Sequence, residues 1–397
     1  MPQKSKSVNA MAERKRLASV SLFSGAGGMD IGMREAGFDI LLANDIDPDA
    51  CETYRLNHGE RIVEAPLGDI LPIFRQVKGI DLLFGGPPCQ GFSVAGRMDP
   101  DDPRSALMSA FFDAVDYIKP AAFVCENVKA LAALGRWEGI RNDIMSRVDA
   151  NYHAKLIVLR ASDFGVPQNR ERMFIVGVRR EKLGCDNFDL GALLSDLLDD
   201  YRETPKSVGQ IIRGLGPAGS QGNPRVCSAK ITFAKAPVMR KSPFAGMLFN
   251  GAGRPFASDG PAPTLPASMG GNKTPIVDER EIFDGDSSYV AEYHKALMQG
   301  ARPNVGTAPD RLRRLTVDEC LAIQSFPADY QLHGARSAMY RQIGNAVPCR
   351  LAYAVGSVVK SILEERMMRQ TSKDTPFIPK GLRMMMTDKL LEELQVA

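Results

Sequence analysis

The sequence predicts an α/β protein: a doubly wound, mainly parallel sheet, with a smaller unit of short strands and loops set into it. Two observations carry that expectation. Between residues 17 and 180, short apolar runs alternate with amphipathic, helix-like stretches, the pattern of a parallel sheet covered on both faces. From Arg202 to Lys273 the composition shifts to nine prolines, eleven glycines and ten Lys or Arg against two acids, too broken for long helices. At 397 residues, 44% of them hydrophobic, the chain can bury a large core and form two or three domains.

The elements follow in order. "MPQKSKSVNAMAERKR" is basic and polar with no apolar run behind it, which predicts a flexible arm over 1–16 rather than a signal peptide or a membrane span. "LASVSLF" (17–23), "DILLAN" (39–44), "IDLLFGG" (80–86), "AAFVCEN" (121–127), "KLIVLRA" (155–161) and "RMFIVGV" (172–178) read as buried strands. Helical segments such as "RSALMSAFFDAVDYI" lie between them. These form a first block over 17–200. The basic segment occupies 201–310, a return segment completing the sheet domain 311–370, and a tail 371–397. Within the return segment "TVDECLAIQSF" opens on a T-x-x-E capping box, Thr316 and Glu319. The tail ends in one short helix, "TDKLLEELQ".

Charge and cysteine usage narrow the function classes. Residues 202–273 carry a net +8, while the whole chain totals only +3. That concentration is the footprint of a polyanion-binding face, or else of a solvated insertion. Seven cysteines without a C-x-x-C pair and four scattered histidines predict a reduced, cytoplasmic protein with neither a disulfide framework nor a metal centre.

In sheets of this kind ligands bind beyond the carboxyl ends of the strands, where Phe23, Asp45, Cys89 and Glu126 fall. "SLFSGAGGMDIG" (21–32) is a strand, a glycine-rich turn and a helix start. It lacks the third glycine of a dinucleotide site, having Asp30 there, where a carboxylate would sit poorly beside a pyrophosphate. Asp45, twenty residues after Gly25, suits two ribose hydroxyls, and Asp69 of "GDI", ending the next expected strand, suits an adenine amino group. Together they favour an adenosine-bearing cofactor without a pyrophosphate. "DLLFGGPPCQGFS" (81–93) presents Cys89 on a rigid Gly-Pro turn. Glu126 is expected on a neighbouring strand, and Arg170 and Arg172 of "QNRER" share one face of an extended segment. A thiolate, a proton-holding carboxyl and an arginine pair suit addition to an electron-poor ring. A buried cysteine beside a structural Glu–Arg bridge is the alternative that these residues alone leave open.

As an ordered set the motifs resemble the DNA (cytosine-5) methyltransferases of bacterial restriction-modification systems, from residue 18 to about 360. "FSGAGG" resembles the methyl-donor loop, "PPCQGFS" the nucleophile loop, "ENV" (126–128) the acid, and "QNRER" (168–172) the arginine motif. "RLTVDECLAIQSFP" (314–327) and "RQIGNAVP" (341–348) resemble the closing pair. The resemblance implies the S-adenosylmethionine-dependent methyltransferase fold with a smaller DNA-recognition domain. It implies methyl transfer to C5 of a cytosine flipped out of double-stranded DNA. Cys89 would add to C6, Glu126 would hold the proton at N3, and Arg172, with Arg170 behind it, would bind the O2 side. C5 then takes the methyl group from the sulfonium, and loss of the C5 proton and of the cysteine releases 5-methylcytosine.

For S-adenosylmethionine the resemblance implies contacts from Phe23, Ser24, Gly25, Ala26, Gly27, Gly28, Asp45, Ile46, Asp69, Ile70, Pro88, Leu107, Asn345 and Ala346. Asp45 and Ile46 depart from the family, which more often has Glu and a larger adenine-packing residue there. No metal is implied. DNA contacts are expected from Gln90 in the nucleophile loop and from Ser93 and Arg97 in "SVAGRMDPDDPR" (93–104), a loop expected to close over the flipped base. Others are expected from Arg240, Lys241, Arg254 and Lys273 in the target-recognition domain over 201–310. A monomer is expected, with no membrane, in the company of a restriction endonuclease acting on the same site. The rival readings are an RNA cytosine methyltransferase, against which the hundred-residue variable segment speaks, a DNA-binding protein without catalysis, and a nicotinamide dehydrogenase.

Overall fold

The computed structural model describes residues 16–88, 105–183 and 189–367. The expected arm, the tail with its short helix, and the nucleophile loop with Cys89, Gln90, Ser93 and Arg97 lie outside the described residues. The strands are β1 (Leu17–Leu22), β2 (Phe38–Asp45), β3 (Ile62–Glu64), β4 (Leu82–Gly85), β5 (Ala122–Val128), β6 (Tyr152–Arg160), β7 (Gln168–Asn169), β8 (Glu171–Arg179), β9 (Phe233–Val238), β10 (Met247–Phe249), β11 (Ala262–Pro263), β12 (Ile276–Asp278) and β13 (Leu312–Arg314).

Seven of them form one sheet in the order β3-β2-β1-β4-β5-β8-β6. The first five are parallel, whereas β8 runs antiparallel to both β5 and β6. The strand order reverses between β1 and β4, which opens a crevice at their carboxyl ends. All six residues of β1 are buried, as a strand covered on both faces requires. One face packs Phe111, Phe112 and Val115 of the helix Ser105–Ile118 over Val20, Leu83 and Phe123. Rings of Phe112, Phe123 and Tyr152 meet edge to face at 5.1–5.7 Å. On the other face Met29 and Met33 of the helix Gly28–Ala36 pack with Val355, Val358 and Ile362 of the helix Cys349–Met367. Each such side chain, fully buried, contributes about 1.5–3 kcal/mol. Within residues 336–365, long and apolar enough by composition to cross a membrane, the most apolar stretch is mostly buried inside the protein.

The basic segment is built from short pieces, as its composition predicts. β9 pairs with β10 and β12 with β13, both antiparallel, while β11 runs parallel to β7. Its own core joins Phe233, Leu248, Phe249, Tyr293 and Leu312. The Thr316–Glu319 capping box is present at the start of the helix Val317–Ile323. One strand-end expectation is corrected. β3 ends at Glu64, and Asp69 lies on the helical turn Leu67–Ile70, because three residues of strand are followed at once by Pro66, which redirects the chain.

Candidate active site

The acid and one arginine are set by register. Across the antiparallel pair, Glu126 faces Phe174 and Val128 faces Arg172. Glu126 and Arg172 are therefore diagonal neighbours on one side of the sheet. Arg172 Nε lies 2.8 Å from Glu126 Oε1. Glu126 is buried, and burial pushes its carboxyl above the ordinary range against the opposing pull of Arg172 and then Arg170. A carboxyl in that state retains a proton more readily than one in water while keeping a cation beside it. Gly86 leaves the necessary room, since a Cβ there would stand 2.8 Å from Glu126 Oε2. Asn127, whose role the sequence reading did not assign, donates from Nδ2 to the Pro87 carbonyl at 3.2 Å. It thus ties β5 to the turn from which Cys89 departs.

Arg170 differs from its expected placement on a shared extended face. It falls between β7 and β8, is buried, and donates to the main-chain carbonyls of Leu265 at 3.1 Å and Gly344 at 2.8 Å. It clamps the loop 262–275 and the closing motif together while standing behind Glu126. Thr264 Oγ1 donates to the Asn169 carbonyl at 3.0 Å, and Gly253 N–H to the Asn272 carbonyl at 3.1 Å. The loop therefore runs from the arginine motif into the basic segment. There Arg240, Lys241, Arg254 and Lys273 are all exposed.

The glycine-rich turn lies beyond β1. Phe23 and Gly27 adopt positive φ, 55° and 76°, so the chain turns sharply into the helix Gly28–Ala36. A Cβ on Gly25 would meet nothing within 4 Å; the turn faces open space. Asp45, the last residue of β2, accepts from Gly25 N–H at 2.7 Å, Ile46 N–H at 2.8 Å and Asp47 N–H at 2.9 Å. A carboxylate offers about four lone-pair sites, so capacity remains for a hydroxyl. Burial raises the Asp45 pKa despite those three bonds. Ile46 is 65% exposed, an apolar side chain bare at the edge of the crevice. Asp69 and Asn345 are exposed, while Ala346, Pro88 and Leu107 are half-buried. An open glycine turn, an accepting carboxylate and a bare apolar side chain fit a ribose and an adenine.

Other expected contacts face inward. Ser24 bonds to Ser21 Oγ at 2.9 Å and to Asn44, and Ile70 is fully buried in the core, leaving its main chain for a ligand. Ala26 is 2% exposed, and a Cβ on Gly28 would stand 3.1 Å from the Ala346 Cβ. The donor turn and the closing motif therefore touch. Asp30 does not face the crevice. It is fully buried and accepts from Tyr54 Oη at 3.0 Å, and burial raises its pKa to about 7. His58 and Tyr330, which the motif reading passed over, stand directly beneath the turn.

Residues 17–361 match the family described as C-5 cytosine-specific DNA methylase. The chain belongs to that family. Among its relatives, the type II methyltransferase M.Eco47II of Escherichia coli is 34% identical over 363 residues, covering 87% of this chain and 79% of the relative. M.FnuDI of Fusobacterium nucleatum is 28% identical over 366 residues, 90% of this chain and 99% of the relative. The structure of the Dnmt2 methyltransferase of S. pombe shares the fold, with a TM-score of 0.58, 18% identity and coverage of 88% of this chain and 99% of that one. The protein is thus a DNA (cytosine-5) methyltransferase of the type II restriction-modification kind, with S-adenosylmethionine as methyl donor and DNA as substrate.

Proposed function

We propose that this methylase modifies one cytosine within a short duplex sequence, with Cys89, Glu126 and Arg172 as its catalytic residues and Arg170 as their brace. The observation that carries the assignment is the buried Glu126–Arg172 pair beside the Pro87 turn that Asn127 holds. S-adenosylmethionine, held at Phe23–Gly28, Asp45, Ile46, Asp69, Ile70, Pro88, Leu107, Asn345 and Ala346, supplies an electrophilic methyl group. Cys89 forms the bond to C6 of the flipped cytosine. Glu126 holds the proton at N3, which drains electron density from C6 so that the thiolate can add there. That addition breaks the C5–C6 double bond and makes C5 the nucleophilic carbon. After methylation, loss of the C5 proton and of Cys89 restores the ring. Arg172 balances the charge at the O2 side and orients the carboxyl. Proton placement by a positioned acid contributes typically 10²–10⁴-fold.

Residues 201–310 form the target-recognition domain in this reading, set between the 17–200 block and the 311–370 return. Segment 204–258 contains eight Lys or Arg and no acid, as a surface facing phosphates requires. Arg240, Lys241 and Arg254 belong to it and Lys273 follows it, with Gln90, Ser93 and Arg97 on the nucleophile loop. The enzyme acts as a monomer, and a restriction endonuclease reading the same site accompanies it without direct contact.

Bisulfite sequencing tests the reading, on genomic DNA from a methylation-free bacterium expressing the protein, beside Cys89→Ser. Protection of cytosines in one short motif, lost in Cys89→Ser, supports it. Complete conversion despite a folded protein that binds S-adenosylmethionine overturns it.

A further inference from the structure

Beneath the donor turn runs a chain of four polar groups. Arg34, in the last turn of Gly28–Ala36, lies with Nη1 2.8 Å from His58 Nδ1. His58 Nε2 lies 3.0 Å from Tyr330 Oη, and Tyr330 donates to the Ala26 carbonyl. The direction of every bond follows from its two ends. A guanidinium only donates, so Nδ1 of His58 accepts. The neutral ring then carries its hydrogen on Nε2 and gives it to Tyr330, whose own hydrogen is free for a carbonyl that can only accept. Tyr330 is 5% exposed, with Phe326 packed at 4.9 Å. The ring of Tyr54 packs against His58 with centroids 4.5 Å apart and planes tilted by 40°. A Cβ on Gly27 would stand 2.5 Å from His58 Nε2 and 2.9 Å from Tyr330 Oη. The turn thus rests directly on the two side chains.

We propose that His58 and Tyr330 are positioning residues for the methyl donor: one directed hydrogen-bond chain from Arg34 holds the Ala26 carbonyl and so fixes the turn that S-adenosylmethionine binds. The proposal rests on the donor-site assignment above. Neither residue touches the donor. They act by holding the Ala26 carbonyl between Gly25 and Gly27, both at positive φ, so that the open space at Gly25 is in place before the ligand arrives. Preorganisation of this kind lowers the ordering cost of binding.

Calorimetric titration of the full chain with S-adenosylmethionine tests it, alongside steady-state kinetics and ¹⁵N-histidine NMR, where only four histidines contribute. In the unmodified protein His58 is expected as the neutral Nε2–H tautomer; the Nδ1–H form overturns the proposal. Tyr330→Phe removes one hydrogen bond and is expected to raise Kd and KM for S-adenosylmethionine about tenfold, the scale of one such loss, with KM for DNA unchanged. Arg34→Ala, at an exposed position, is expected to raise Kd about threefold without moving the melting temperature. A Tyr330→Phe protein that melts earlier but binds S-adenosylmethionine as before shows a structural role and overturns the proposal. An unmodified protein that binds none overturns the donor-site assignment itself.

Discussion

Gln168 and Gln324 lie 156 residues apart, yet their side-chain amides meet in the core, Nε2 of the first 2.9 Å from Oε1 of the second. Each carries the connection onward. Gln168 Oε1 accepts from Leu265 N–H at 2.9 Å, and Gln324 Nε2 donates to the Ile343 carbonyl at 2.6 Å. The arginine motif, the loop 262–275 and both closing motifs are therefore fastened at one buried point. Gln168→Leu leaves Gln324 Oε1 and the Leu265 N–H without these partners, each loss costing about 1–3 kcal/mol. Urea unfolding is expected to show a lower midpoint at an unchanged slope. An unchanged midpoint would show that the fastening adds nothing to stability.

Glu126 gives the second prediction. Glu126→Gln keeps the size and the contact with Arg172 but has no acidic proton to place at N3. Single-turnover methylation is expected to fall 10²–10⁴-fold, with DNA affinity in a mobility-shift assay held within a few-fold. A variant retaining a tenth or more of the rate would remove Glu126 from the chemistry.

Asp30 and His58 offer a pH test. Asp30 holds its proton up to about pH 7 in the fold, against 3.8 for an ordinary Asp, because it is buried. Its contribution is fully present below pH 3.8 and is lost as pH rises through 7. Burial, and then Arg34, lowers the His58 pKa from 6.5 to about 3. Its contribution is present above pH 6.5 and is lost as pH falls toward 3. Between pH 3.8 and 6.5 the two slopes oppose each other. Relative to the unmodified protein, Asp30→Asn should therefore gain stability as pH rises through that window, and His58→Gln should gain it as pH falls, each by up to about 1.4 kcal/mol per unit. Chemical denaturation at pH 4.5, 5.5 and 6.5 measures both. Profiles parallel to that of the unmodified protein would contradict both assignments.

The fourth prediction concerns Arg240 and Lys241, exposed just after β9. Each phosphate contact contributes about 0.9 to the slope of log K against log salt. Replacing both by Ala should flatten that slope by about 2 and weaken binding to all duplexes alike. An unaltered slope in a fluorescence-anisotropy titration would place both away from the phosphates.

Much of this was legible in the sequence where the signal is local. The spans of β1, β2, β4, β5, β6 and β8 follow from apolar runs, whereas the short β3 and β7 do not, and the strand positions of Glu126, Arg172 and Asp45 follow from contiguous motifs. What escaped depends on direction or distance. Asp30 was read from its place in a glycine pattern, which says nothing about rotation. The left-handed Gly27 starts the helix at an angle that turns the carboxyl inward to Tyr54. "GDI" reads as the end of a strand, yet Pro66 precedes a helical turn, Leu67–Ile70, that carries Asp69. Tyr330 lies 272 residues from His58, and only the folded chain brings them together. Within "QNRER", a two-residue spacing implied one face, but Arg170 sits where β7 gives way to β8 and turns to Leu265 and Gly344.

The placement of the helix Cys349–Met367 bears on how a cell makes this enzyme. The sheet is complete in sequence at Arg179, yet the helix that packs against Gly28–Ala36 is the last described element to be synthesised. At 5–20 residues per second the interval is on the order of ten to thirty seconds. During it Met33, Val358 and their neighbours have no common interior, and the Ala26 carbonyl has no Tyr330. A chain still on the ribosome therefore carries every catalytic motif but no finished seat for the donor. A product terminated before this helix lacks the face that packs against Gly28–Ala36, and is expected to be silent rather than partly active in a methylation assay.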